Sequence, residues 1–131
     1  MDSAKLRLSP EELKLVSDPG IILTKNAIIE KVYFLFGALA DDFRSMADLP
    51  RDIATIAPKI AKGENYLGLP YVMLDYPRYF SADDIIAIRC FFWWGNFFSI
   101  TLHLKGIYSE MCTADKAFLY SRQDQRILKF F

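Results

Sequence analysis

Ile85-Ile86-Ala87-Ile88-Arg89-Cys90-Phe91-Phe92-Trp93-Trp94-Gly95-Asn96-Phe97-Phe98-Ser99-Ile100-Thr101-Leu102-His103-Leu104 carries a single charge, at Arg89. Its aromatic and β-branched content, broken at Gly95-Asn96, predicts two antiparallel strands at about 86–104 joined by a two-residue turn. Glycine at the first loop position suits a type II′ turn. That turn sets Trp94 opposite Phe97, Phe92 opposite Ser99, Cys90 opposite Thr101 and Ile88 opposite His103 on one face. The other face then holds Trp93 with Phe98, Phe91 with Ile100, Arg89 with Leu102 and Ala87 with Leu104. The second set is drier and is expected to meet the core. Large apolar side chains on both faces need cover on both, which makes Phe92, Trp94 and Phe97 the candidate interface residues.

The same stretch is long enough to be weighed as a membrane span. Arg89 inside it, Trp93 and Trp94 near its middle and the Gly95-Asn96 break all argue for a hairpin instead. No membrane association is expected.

Upstream, Ser9-Pro10-Glu11-Glu12 has the pattern of a capping box with proline at the first helical position. A short helix carrying Leu13 and Val16 follows, and Asp18-Pro19-Gly20 is expected to stop it. The main helix is predicted at about 24–47. Ile28, Val32, Leu35, Phe36, Leu39, Phe43 and Met46 recur there at three- and four-residue steps. Gly37 interrupts the pattern, and close approach of another backbone would account for it. Residues 51–62 predict a short helix or turn, and Lys62-Gly63-Glu64-Asn65 a polar loop. Tyr71–Tyr76 reads as a strand ended by Pro77. Ser81 with Asp84 has the spacing of a helix cap. After Gly106 a helix from Thr113 to Arg122 and a last strand over 126–131 are expected. Helices first and strands later give an α+β fold, N-terminal helices packed on an antiparallel sheet in a single domain over 1–131.

With 131 residues and 53% apolar content, the chain can bury a sizeable core. Sixteen basic residues balance sixteen acidic ones. Neither a basic excess nor a basic stripe supports nucleic-acid binding. Cys90 and Cys112 are the only cysteines, too few for a disulfide framework, and a reducing, cytoplasmic location is expected. The N-terminal residues lack the continuous apolar segment of a secretory signal.

Nothing in the chain completes a catalytic signature. His103 is the only histidine, without the companions that a zinc site needs, so no metal and no cofactor is expected. Its bland role, a polar residue on a partly covered strand, is preferred. The serines lack a nucleophile elbow, and the glycines form no phosphate loop. A looser cluster remains. Glu64, Asn65, Tyr66, Asp75, Tyr76, Arg78 and Tyr79 lead into the hairpin, which adds Arg89, Asn96 and His103. Aromatic walls with a few polar groups describe a small-molecule pocket. Arg78 and Arg89 suit a small anionic ligand, although Asp75 and Arg78 could equally pair with each other. The function expected is therefore a ligand-binding or protein-interaction domain that self-associates as a homo-oligomer. The alternative is a small enzyme with Asp75, Glu64 or His103 as acid or base and an arginine clamp.

Overall fold

A computed structural model describes residues 3–46, 48–110 and 125–129, the last segment and Met46 in backbone only. The fold is α+β: helices come first and an antiparallel sheet follows. The chain divides into two compact units, residues 1–31 and 32–131.

In the first unit a 3-10 turn, Ser3–Leu6, precedes helix α1, Pro10–Val16. The capping box forms as expected: Glu12 N donates to Ser9 Oγ (3.1 Å) and Ser9 N donates to Glu12 Oε2 (2.7 Å). Helix α2, Pro19–Met46, begins in this unit. Its start is earlier than Thr24 because Asp18-Pro19-Gly20 ends one helix and opens the next. Pro19 takes the first helical position, and Asp18 Oδ1 accepts from Gly20 N at 3.0 Å.

The second unit holds the rest of α2, the short helix α3 (Arg51–Ala54) and the sheet. Its strands are β1 (Lys59–Tyr66), β2 (Leu69–Phe80), β3 (Ile85–Trp93), β4 (Phe97–Lys105) and β5 (Gln125–Lys129), paired in sequence order. The last strand falls close to the expected 126–131. The expected helix from Thr113 to Arg122 lies outside the described residues.

Within this unit α2 buries Val32, Phe36 and Ala40, while Leu35 stays 47% exposed, so the buried strip is narrower than the apolar pattern. Phe36 is 1% exposed and meets Phe98 edge-to-face at 6.3 Å. Ile53, Val72, Leu74, Tyr76, Cys90, Phe92 and Leu104 are buried in this core as well. Gly37 does not serve close packing: a Cβ there would meet nothing within 4 Å.

The hairpin forms where expected, in a different register. Trp93 pairs with Phe97, Phe92 with Phe98, Phe91 with Ser99 and Arg89 with Thr101. Gly95 does not take the first loop position of a type II′ turn. Asn96 N donates to Trp93 O (2.9 Å) with Gly95 at φ 76°, the third residue of a type II turn spanning Trp93–Asn96. Trp94 N donates instead to Pro70 O of β2 (3.0 Å), which holds Trp94 out of the β3–β4 ladder. The one-residue change re-pairs the faces. Phe92/Phe98, Cys90/Ile100, Ile88/Leu102 and Ile86/Leu104 form the core side, and Trp93/Phe97, Phe91/Ser99, Arg89/Thr101 and Ala87/His103 the opposite one.

Three other expectations are corrected. Lys62-Gly63-Glu64-Asn65 is part of strand β1, a charged edge. Pro77 does not end β2: Tyr76 and Pro77 together oppose Ile88 in a bulge, where proline's missing N–H costs no ladder bond. Ser81 caps no helix. It closes the β2–β3 hairpin, its N and Oγ both donating to Asp84 O (2.9 and 2.8 Å).

Two stability predictions follow from these local structures. Leu67 sits at φ 53° beside Gly68 at φ 86° in the two-residue β1–β2 turn, 79% exposed. Leucine in that left-handed conformation costs ~1 kcal/mol, which asparagine largely avoids. Leu67→Asn is expected to raise the unfolding free energy by about 1 kcal/mol in a urea titration. Burial, with the charge of Asp75 adding, pushes the Cys90 thiol up to about 11. An unfolded cysteine ionises near ~8.5, so the unfolded chain sheds its proton first and stability falls as pH rises from there toward 11. Denaturation between pH 8.5 and 10.5 should show a steeper loss for the wild type than for Cys90→Ala.

Candidate functional site

The sheet side opposite Phe36 is laid out as a grid of cross-strand rows. Gly63, Tyr71, Trp93 and Phe97 form one row, and Ala61, Met73, Phe91 and Ser99 the next. Lys59, Asp75, Arg89 and Thr101 follow, then Arg78, Ala87 and His103. One end is therefore aromatic and the other basic.

At the aromatic end Tyr66 is the hub. Its ring lies 5.0 Å from Trp93, 5.6 Å from Phe91 and 6.3 Å from Tyr71, all edge-to-face. Phe97 extends the cluster, 5.7 Å from Trp93 and 6.4 Å from Phe91. Trp93 Nε1 donates to Tyr66 O at 3.0 Å, which ties the β1 end to β3. Asn65 Oδ1 accepts from Gly68 N at 2.8 Å and closes the turn beneath Tyr66. Gly63 leaves room for Tyr71, whose ring passes over it. A Cβ at 63 would stand 2.6 Å from that ring.

At the basic end Asp75 and Arg89 are register partners and form a bidentate pair, Nε to Oδ1 at 2.7 Å and a terminal nitrogen to Oδ2 at 2.9 Å. The hydrogen bond that Arg89 donates to Asp75 raises the Arg89 pKa, partly offset by desolvation. Asp75 thus pairs with Arg89, not with Arg78. Arg78 Nε donates to Ala57 O at 2.8 Å. The Tyr76–Pro77 bulge decides where Arg78 goes. Simple alternation from Asp75 would send residue 78 to the core side, whereas the extra residue returns it beside Asp75, opposite Ala87. His103 meets Phe80 edge-to-face at 6.2 Å.

Two open depressions result. One, about 360 Å³, is lined by Lys59, Asp75, Arg78, Phe80, Arg89 and His103 around Ala87. The other, about 430 Å³, has walls of Tyr66, Tyr71, Phe91, Trp93 and Phe97. Arg89 and Thr101 line both, so the two adjoin. Every described lining residue belongs to β1–β4.

Of the residues singled out in the sequence, Tyr66, Asp75, Arg78, Arg89 and His103 come together on this face. Tyr76 does not: it is fully buried on the core side, under Arg44 at 5.5 Å, its hydroxyl donating to Ala54 O at 3.2 Å. Glu64 and Asn65 lie at the exposed β1 edge. Phe92 belongs to the core, Phe97 faces the aromatic depression and Trp94 sits in the turn, so the three share no face. Sequence reasoning missed Lys59, Tyr71, Phe91, Trp93 and Thr101 as site residues. The correct hairpin register alone would have grouped Phe91, Trp93, Phe97 and Thr101. Among the described residues no cluster of three or more metal-ligating side chains occurs, and no helix is long and apolar enough to cross a membrane.

Gly63→Ala tests the packing of the aromatic end. The atoms in the way are at the far end of the Tyr71 side chain. The ring should swing aside at small cost, changing the near-ultraviolet circular dichroism while the far-ultraviolet spectrum and Tm stay close to wild type. No protein-family model matches the chain, and neither a curated protein nor a solved structure matches it.

Proposed function

We propose that this protein is a ligand-binding domain whose working surface is the face of the sheet formed by the two adjoining depressions. One observation carries this: five aromatic side chains form one end of an open face that continues, through Arg89 and Thr101, into a basic end. Apolar walls with a few convergent polar groups are what small-molecule sites use for affinity and orientation. Non-enzymatic binding is favoured over acid–base catalysis by Asp75 because both of its oxygens are engaged by Arg89. A general base has to be free to take a proton from its substrate. The buried, unreactive character of the Cys90 thiol accords with a cytoplasmic setting.

Self-association is a second reading, favoured by the first unit. Leu13, Leu15, Val16, Ile22 and Leu23 of its helices are each more than half exposed. Light scattering over a concentration series should then give a mass above 15.1 kDa, falling toward it on dilution.

The binding reading is tested with a neutral fluorescent probe, N-phenyl-1-naphthylamine. Saturable binding at one site per chain is expected, weakened about tenfold by Phe91→Ala, since an aromatic contact and its buried area are worth ~1–2 kcal/mol. Unsaturable binding, or binding indifferent to Phe91 and Trp93 substitutions, would remove it.

A further inference from the structure

We infer that the ligand of this face is an elongated apolar carboxylate, lying along β3 with its acid group over Ala87 and its apolar body on Phe91 and Trp93. The inference rests on the binding role proposed above and names the chemistry of what is bound.

Charge gives the polarity. Among its described lining residues the depression around Ala87 presents Lys59, Arg78, Arg89 and His103 against one acid, Asp75. Asp75 is neutralised by its bidentate bond to Arg89. Among the described residues Lys59, Arg78 and His103 have no carboxylate partner. Two permanent cations therefore remain uncompensated at that end, and a carboxylate offers one oxygen to each. Among the described residues the aromatic depression has no charged wall apart from Arg89 at the junction. A molecule charged throughout would leave that end unmatched, and a molecule neutral throughout would leave Lys59 and Arg78 unmatched.

Shape gives the length. Ala87 is the small residue between Arg78 and His103, which opens the floor where the acid group would sit. From Ala87 to Phe91 is four residues of β3 and to Trp93 six, or about 13 and 20 Å at the usual strand rise. A bare small anion would fill only one end. An extended chain or linked-ring acid spans both, and Arg89 with Thr101 floors its middle. The Asp75–Arg89 pair then has a positioning role: its two hydrogen bonds fix the guanidinium at the junction of the two depressions.

The test compares dodecanoate with 1-dodecanol and dodecyl phosphate by calorimetry below their aggregation limits, with the naphthylamine probe run alongside. Dodecanoate is expected to bind at least tenfold tighter than dodecanol, the preference shrinking with added salt. Affinity should rise about threefold per methylene from octanoate to dodecanoate. Lys59→Gln, at an exposed edge position, should cut the preference for dodecanoate over dodecanol five- to tenfold. Arg78→Ala should do the same, and Arg78→Lys should recover part of it. Dodecanol binding as tightly as dodecanoate, or dodecyl phosphate binding more tightly, overturns the carboxylate assignment while the face keeps its binding role. Failure of the amphiphiles and of the neutral probe together overturns both.

Discussion

The register of the β3–β4 hairpin is the constraint on which the rest of the molecule depends. Trp93 meets Phe97 because Trp94 and Gly95 occupy the centre of a type II turn, and Trp94 N is satisfied by Pro70 O. A two-residue turn would have set Ser99, Thr101 and His103 beside Phe92 and Cys90, and Arg89 beside Leu102. Either face would then have mixed polar with apolar groups. Putting an unpaired hydroxyl or imidazole under α2 costs ~1–3 kcal/mol for each group. In the observed register the core side of the hairpin is uninterrupted: Phe92/Phe98, Cys90/Ile100, Ile88/Leu102 and Ile86/Leu104. Every polar side chain of the hairpin strands, Lys105 included, lies on the other side, which it shares with Phe91, Trp93 and Phe97. A core and a binding face are thus separated by the same single turn.

The second device is the bulge at Tyr76–Pro77. It lets β2 turn its side chains over once without leaving the sheet. Tyr76 goes fully into the core, where its hydroxyl reaches Ala54 O, and Arg78 returns to the face of Asp75. Bulges re-aim side chains in this way because two residues oppose one and alternation is reset beyond them. Without it Arg78 would point at α2 and the basic end would keep one cation fewer.

These two devices mark the limit of what the chain reveals when read as a string. The capping box at Ser9, the apolar period of α2 and the strand composition around Gly95 depend on neighbours a few residues apart, and all three are legible. The α+β order follows from them. The edge strand β1 is not legible, because edges are protected by charge: Lys59 reads as part of a short helix or turn and Lys62 and Glu64 as loop, yet all three guard the exposed ladder. Pro77 reads as a stop, and only the tertiary pairing with Ile88 shows that it is absorbed. Tyr76 sits among polar residues in sequence and opposite them in space. The site residues Asp75, Arg78, Arg89 and His103 are recognisable by type, but their grouping depends on the bulge and the turn. Lys59 and Tyr71 come from pairings too distant in sequence to infer.

An open aromatic face carries a cost that a purely structural sheet would have avoided. Tyr66 is about half exposed and Phe80 more so, although apolar surface left in water forgoes roughly 25 cal/mol per Å². Alternating serine or threonine into positions 91, 93 and 97 would have left an ordinary solvated face. The aromatic groups are instead concentrated at one end and the cations at the other, joined by the one arginine whose charge is already balanced. That pairing matters because an unbalanced Arg89 would be drawn toward solvent, and its side chain would no longer bridge the two ends. Asp75, 16% exposed at its side chain against 53% for Arg89, is the better-anchored member of the pair. It holds Arg89 down on the sheet by two hydrogen bonds of fixed geometry. The face therefore keeps a continuous floor, with its charge gradient running along β3.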